Sequence, residues 1–241
     1  MIDKNYNFII QTRDLTVFRN SKTLLDRVNL DIERGSLTML LGHNGAGKSV
    51  LLRTLHGLLA KTDGQINGPP AERQKIVFQK PILLRRSARK HFHFVCPGCP
   101  DKDTEAWFAH AGLQAQMDTH AHQLSGGEQQ KLALIGALAS QPSLLFLDEP
   151  TSHLDYESTT AIEQMIHDAH ANGTTIIMTS HNRAQAERLA QQVLFIQLWR
   201  ARSRLHRRRS LLPNTNLQHF PRSTRFANLC TAPNSKFQQK P

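Results

Sequence analysis

The sequence predicts an α/β fold with a mostly parallel sheet, and three observations predict it. Strand-length apolar runs at 37–41, 144–147, 174–179 and 193–196 alternate with segments of helical pattern, the order expected of parallel strands joined by crossover helices. The run Leu144-Leu145-Phe146-Leu147 is continuously apolar, as in a strand covered on both faces. Between the first apolar run and the helical segment after it lies Gly42-His43-Asn44-Gly45-Ala46-Gly47-Lys48-Ser49. Strand, glycine-rich turn and helix are the setting that the phosphate-binding pattern G-x-x-x-x-G-K-[ST] requires.

The elements follow in order. Residues 8–16 and 28–32 read as strands, the second with Val28, Leu30 and Ile32 on one face. Phe18 is either an ordinary apolar residue at a strand end or an exposed aromatic able to stack on an adenine ring. Glu33-Arg34-Gly35 turns the chain into strand 37–41, and a helix starts at Lys48 and takes in the periodic segment 50–59. Thr62-Asp63-Gly64 and Gly68-Pro69-Pro70 predict turns, and a short strand over 75–78 ends at Gln79. Residues 81–123 turn polar and His-rich, with a helix near 103–112, and read as a small, mostly helical insertion. Helical patterns return over 128–139, stopped by Gln141-Pro142, over 156–171, ended by Asn172-Gly173, and over 183–191. No internal repeat is visible.

A chain of 241 residues is long enough for one α/β domain with a subdomain. No apolar run approaches a membrane span, and Met1-Ile2-Asp3-Lys4-Asn5-Tyr6 lacks the layout of a secretory signal, so a soluble cytoplasmic chain is the expectation. Three cysteines do not make a disulfide framework. The net charge of +11 belongs to one end: residues 197–241 hold eight Arg and two Lys with no Asp or Glu, which leaves 20 basic against 19 acidic residues before them. Global basicity therefore says nothing about what the core binds.

The chemistry sits in four places. In the loop, glycines let consecutive N–H groups wrap an anion, the helix from Lys48 adds its positive end, Lys48 reaches outer phosphates, and the Ser49 hydroxyl suits Mg²⁺. Asp148 and Glu149 end a buried strand, at the edge where open α/β sheets hold ligands. Asp148 suits Mg²⁺ held through its water shell, and Glu149 suits polarising a water for attack on a γ-phosphate. Ser125-Gly126-Gly127-Glu128 opens a helix and offers a second anion site of N–H groups and a hydroxyl. One triphosphate does not need two helix N-termini from distant parts of a chain, so this second site is expected to close over the nucleotide of another subunit. Lastly, Cys96-Pro97-Gly98-Cys99, with His91 and His93 before it, has the spacing of half a zinc site. A second ligand pair is missing, with His110, His120 and His122 as its conceivable supply, and reduced thiols in a variable helical segment are the expected state.

Taken together, these segments resemble the nucleotide-binding subunit of an ABC transporter, over residues 12–196. The resemblance identifies Gly42–Ser49 as the Walker A loop, Gln79 as the Q-loop glutamine, residues 124–130 as the signature, Asp148 and Glu149 as the end of the Walker B strand, Ser152-His153-Leu154-Asp155 as the D-loop, and His181 as the switch histidine. Departures are small: His43 stands where the family usually has Pro, and Val50 where it often has Thr. A one-residue shift would put Arg19 rather than Phe18 at the adenine-stacking position. The implied fold is a phosphate-loop NTPase core with a mostly parallel sheet, an antiparallel N-terminal β subdomain and a small helical subdomain near 81–140, all within 1–196. The implied mechanism is a head-to-tail dimer holding two ATP molecules with Mg²⁺, each between one copy's Phe18 and Gly42–Val50 and the other's Ser125, Gly126, Gly127 and Glu128. In it Glu149 acts as base, and His181 holds the γ-phosphate and orients Glu149. Ser49, Gln79 and Asp148 serve the metal, while Gln79 relays closure and Asp155 belongs to the D-loop.

Residues 78–88 and 181–190 resemble importers for inorganic oxyanions, tungstate most closely. The implied partners are a second copy, an integral membrane permease and, indirectly, an extracytoplasmic substrate-binding protein, with the chain peripheral on the cytoplasmic face of the inner membrane and no nucleic acid bound. The rival is a soluble ATPase of the same type acting on nucleic acid or ribosomes, with the basic tail as its arm. A phosphate-loop kinase leaves residues 125–128 unexplained. Residues 197–241 read as a basic tail, either disordered or the product of a frame shift near Ile196, since the resemblance ends there inside an element.

Overall fold

The computed structural model describes residues 7–196 and the two-residue strand 225–226. The chain forms β1 (Phe8–Arg19), β2 (Lys22–Glu33), β3 (Leu37–Leu41), α1 (Lys48–His56), β4 (Asp63–Asn67) and β5 (Gln74–Val77). It continues through α2 (Ala88–Val95), α3 (Asp101–His110), α4 (Gly126–Ala139), β6 (Leu144–Asp148), α5 (Tyr156–Ala171), β7 (Thr175–Ser180), α6 (Arg183–Leu189), β8 (Gln192–Phe195) and β9 (Arg225–Phe226). One sheet, in the order β2-β1-β4, is antiparallel; the other runs β5-β6-β7-β3-β8-β9 and is parallel throughout.

Alternation along the parallel strands splits the interior into two cores. Leu37, Met39, Leu41, Leu145, Leu147, Ile176 and Met178 face α2–α6, while Leu40, Leu144, Phe146 and Ile177 face α1 and the antiparallel sheet. Phe92 on α2 and Phe108 on α3 are fully buried and meet edge to face at 5.6 Å, which pins the helical segment onto its core. No helix among the described residues is long and apolar enough to cross a membrane.

The sheet sequence is as expected, with differences of extent. The N-terminal strands are longer than the apolar pattern suggests, because they meet in a two-residue hairpin: Arg19 pairs with Lys22, and Asn20 and Ser21 both take positive φ (48° and 58°). Asp63-Gly64, expected as a turn, begins β4, whose short exposed-intermediate alternation pairs, among the described residues, with β1 alone. α2 was not separated from the helical insertion by sequence; Ser87 caps it by accepting from the Lys90 N–H. The expectation for residues 197–241 lies outside the described residues, apart from Arg225–Phe226, whose backbone pairs parallel with β8.

Candidate functional site

Three strands carry the chemistry to one edge. β3 pairs with β7, and β7 with β6, so that Leu41 lies beside Ser180 and Asp148 beside Thr179. The loop 42–49, the pair Asp148–Glu149 and His181 all leave the sheet at these adjacent C-terminal ends, where α/β sheets place ligands.

The loop enters α1 through Gly47, its N-cap, at φ 99°. Gly42 has a different reason to be glycine from the phosphate wrapping expected of it. A Cβ there would run into the carbonyl oxygen of Ile196, whose N–H donates to the Leu41 carbonyl at 2.7 Å. His43 and Asn44 are exposed, with His43 Nδ1 2.8 Å from the Asn44 carbonyl, and Ala46 is buried. Val50, where the family often has Thr, packs half-buried against the core shared with the antiparallel sheet.

Lys48 is 5% exposed, and its ammonium spans the two halves of the site. It donates to the carbonyls of Gly42 (2.8 Å) and His43 (3.3 Å) and lies 3.4 Å from Glu149 Oε1. The other carboxylate oxygen, Glu149 Oε2, is 3.5 Å from His181 Nδ1. Glu149 is thus held between the loop lysine and the histidine after β7. Its backbone sits at φ +47°, a conformation that costs a non-glycine residue on the order of 1 kcal/mol. The bond from its N–H to Thr179 Oγ1 at 2.8 Å holds it there.

Asp148 is 3% exposed and accepts from Ser49 Oγ (2.7 Å) and Thr179 Oγ1 (2.9 Å) through one oxygen. Its other oxygen lies 3.7 Å from the Arg53 guanidinium, which also stacks on the Phe78 ring at 5.6 Å. Gln79 donates to Ser152 Oγ at 3.2 Å, so the residue after β5 and the segment after β6 are joined. Gln130 on α4 donates to the Phe78 carbonyl at 3.2 Å, and the Leu84 N–H donates to the buried His91 at 3.3 Å, fixing both sides of Gln79. Burial holds the His91 imidazole below its ordinary pKa, with His122 nearby acting in the same direction.

Ser125, Gly126, Gly127 and Glu128 stand apart from this cluster. Among the described residues no hydrogen bond or ion pair joins them to the 42–49 loop. Ser125 caps α4 in a full capping box: Glu128 N–H donates to Ser125 Oγ, and Glu128 Oε2 accepts from the Ser125 N–H and hydroxyl at 2.8 Å each. Asp155 caps α5 in the same manner, accepting from the Ser158 N–H (2.7 Å) and hydroxyl (2.9 Å). The Ser158 N–H first, and its hydroxyl second, hold the Asp155 carboxyl below the ordinary range. The two caps touch, since a Cβ on Gly127 would run into Ser158. Phe18 is 52% exposed near the end of β1, with its N–H bonded to Thr62 Oγ1 at 2.9 Å.

Sequence reasoning missed Thr179, Gln185 and Arg53. Buried Gln185 accepts from Ser180 Oγ at 2.8 Å and donates to Thr151 Oγ1 (2.8 Å) and Glu163 Oε1 (3.0 Å). It ties the segments flanking Glu149 and His181 to α5, and with Glu149, Thr151, Ser152, His181 and Asn182 it lines a concavity on this edge. A glutamine on a short helix and a threonine in an apolar strand carry no such signal until the register is known.

This geometry agrees with what the chain is similar to. The family model described as ABC transporter matches residues 25–152. The phosphate import ATP-binding protein PstB 1 of Streptococcus thermophilus is 32% identical over 218 residues, covering 78% of this chain and 81% of the relative. The tungstate uptake system ATP-binding protein TupC of Peptoclostridium acidaminophilum is 33% identical over 188 residues, covering 73% and 88%. Among solved structures, cbiO1 from Clostridium perfringens, part of the ABC transporter complex cbiONQ, superposes with a TM-score of 0.69 at 27% identity, covering 79% of this chain and 85% of that one.

Proposed function

Because the chain belongs to the ABC transporter ATP-binding family and is therefore an ATPase, we propose that it powers a membrane import complex whose cargo is an inorganic oxyanion, tungstate first. The observation that carries the catalytic part is Glu149, fixed at positive φ between Lys48 and His181. Its carboxylate accepts the proton of the attacking water, and His181, beside Glu149 Oε2, orients it. Lys48 and the loop N–H groups hold the β- and γ-phosphates of ATP. Phe18, exposed, offers its ring to the adenine.

The Ser49 hydroxyl and the Asp148 carboxylate, 2.7 Å apart, form a hard oxygen set that fits Mg²⁺, with the Gln79 amide as a third group. The metal, when bound, neutralises charge on the phosphate oxygens. Asp148 is oriented for that purpose by Ser49, Thr179 and Arg53. Among the described residues Ser125–Glu128 makes no polar contact with the loop of its own chain, so it closes on the nucleotide of a second copy packed head to tail, with Asp155 at the junction. Gln79 and the segment behind it relay closure to a permease at the cytoplasmic face of the inner membrane, fed by an extracytoplasmic binding protein.

The importer reading is supported by relatives named for phosphate import and tungstate uptake, and the tungstate choice by residues 78–88 and 181–190. Glu149→Gln tests the catalytic assignment. Turnover should fall by about 10²–10⁴-fold while ATP still binds and a dimer accumulates in size-exclusion chromatography. Persistent hydrolysis would falsify the assigned base. The cargo is tested in the reconstituted complex: tungstate-loaded binding protein should stimulate hydrolysis more than phosphate-loaded protein does, and the reverse order reassigns the cargo.

A further inference from the structure

α2 ends at Val95, and the turn that leads the chain toward α3 is Cys96-Pro97-Gly98-Cys99. The Cys99 N–H donates to the Cys96 carbonyl at 3.1 Å, closing a four-residue turn with Pro97 at its second position, where a fixed φ suits it. Such a turn keeps its end Cα atoms within about 7 Å, and a disulfide spans about 4.4–6.8 Å between Cα atoms. Both residues are half-exposed free cysteines, so the closed turn holds two accessible thiols at its ends, within the span a disulfide needs. We propose that Cys96 and Cys99 are a reversible thiol–disulfide site that locks the corner between α2 and α3.

The reaction partner is a low-molecular-weight disulfide. One cysteine thiolate attacks it, forming a mixed disulfide and releasing one small thiolate. The second cysteine thiolate then displaces the other small thiolate, closing the Cys96–Cys99 bond. The chain loses two hydrogens as protons and two electrons, and the external disulfide gains them as two thiols. Zinc chemistry is less well served here. His93 Nε2 lies 3.3 Å from Asp101, His91 Nδ1 accepts from Leu84, and no group of three His, Cys, Asp or Glu able to hold a metal gathers among the described residues.

The place of the pair in the fold sets its character. Cys96 is the C-cap of α2, its N–H donating to the Phe92 carbonyl at 2.8 Å, so its sulfur lies at the negative end of the helix. Burial first, and Cys99 second, hold the Cys96 thiol above its ordinary pKa. Dithiols at helix N-termini have the opposite setting, in which a stabilised thiolate favours the reduced form. The Cys96–Cys99 pair therefore closes slowly at neutral pH, and once closed it resists reduction. The ring would fix the α2–α3 corner against α4, on which both helices pack and where Val95 lies against Gly136.

The test uses the full chain carrying Cys230→Ser, which leaves only this pair. It is equilibrated in mixtures of reduced and oxidised glutathione, quenched by alkylation and weighed intact. Two forms are expected: a dithiol chain bearing two alkyl groups, and a chain two hydrogens lighter bearing none. The closing rate should rise about tenfold per pH unit below the thiol pKa. Cys96→Ser and Cys99→Ser should each stop at one glutathione adduct, with reduced-state ATP hydrolysis unchanged. Glutathione on both cysteines of one chain, crosslinks between chains, or a dithiol that survives excess oxidised glutathione each overturn the proposal.

Discussion

Around Lys48 the decisive contacts join residues far apart in the chain, whereas around Ser125 they are local. Ser49 meets Asp148 across 99 positions, and buried Lys48, part-buried Glu149 and exposed His181 come from three separate segments into one cluster. Ser125 and Glu128, by contrast, satisfy each other across three positions, on an exposed helix end. The first arrangement exists only once the parallel sheet has formed, and it is complete within one chain. The second is preformed by local capping and presents the exposed Gly126, whose N–H takes no protein acceptor among the described residues. A cluster that is internally complete and a cap that is locally complete but faces outward are the two halves expected of a site shared between copies.

The largest effect that can break this comparison comes from mixing variants. Lys48→Ala should abolish ATP binding, and with it turnover. Ser125→Ala should leave ATP binding by the monomer intact and lower turnover by roughly 10²-fold, in line with removal of one anion-stabilising donor, at a stability cost of about 1 kcal/mol for the lost cap. In a head-to-tail dimer of the two variants, both lesions fall in one site and the other site is whole. Mixing the inactive chains should therefore restore part of the turnover, in a concentration-dependent manner. Mixtures no more active than the sum of the separate proteins would show that Lys48 and Ser125 do not serve in trans.

A middle-sized effect sharpens the local half. A Cβ on Gly127 would lie 2.7 Å from the Ser158 Cβ and closer still to its hydroxyl, so the α4 and α5 caps are packed with no spare volume. Gly127→Ala should destabilise the chain by about 1–3 kcal/mol, measured by denaturant titration. Ser158→Gly should relieve much of that cost in the double variant, giving a favourable coupling. Additive effects would mean that the two caps are not in the contact described.

The same division explains what was legible in the sequence. Local pattern revealed the glycine loop, the helix opened at Ser125, and the apolar strands, because each is written in neighbouring residues. Thr179 became a site residue only through its register opposite Asp148, and Arg53 only because α1 brings its guanidinium over Phe78. Gln185 acquires its role by burial between Ser180, Thr151 and Glu163. Glu149 was legible as a carboxylate after a strand, but its positive φ was not, since that conformation is imposed by Thr179. The Asn20–Ser21 hairpin lacks the glycine that marks such turns, and β4 is an edge strand with a single apolar residue, Ile66, so neither announced itself. Gly42 was recognised for one reason and is required by another, the approach of Ile196.

The smallest expected effect concerns the charge on the α5 cap. Asp155 is fully exposed, and the hydrogen bonds from Ser158 depress its folded-state pKa. A depressed carboxylate contributes stability that is whole above the unfolded-state value of about 3.9 and is lost as pH falls through the lower folded-state value. Asp155→Asn keeps an acceptor suited to the N-cap and removes the titration. The thermal midpoint of the native sequence should therefore exceed that of the variant by a constant amount from neutral pH down to about pH 5, and the gap should close in more acid solution. It should also shrink in high salt, because the cap is open to solvent. A gap that stays constant into acid would mean that Ser158 binds the neutral side chain as well as the charged one, so that this cap owes its geometry to packing against Gly127 rather than to the carboxylate.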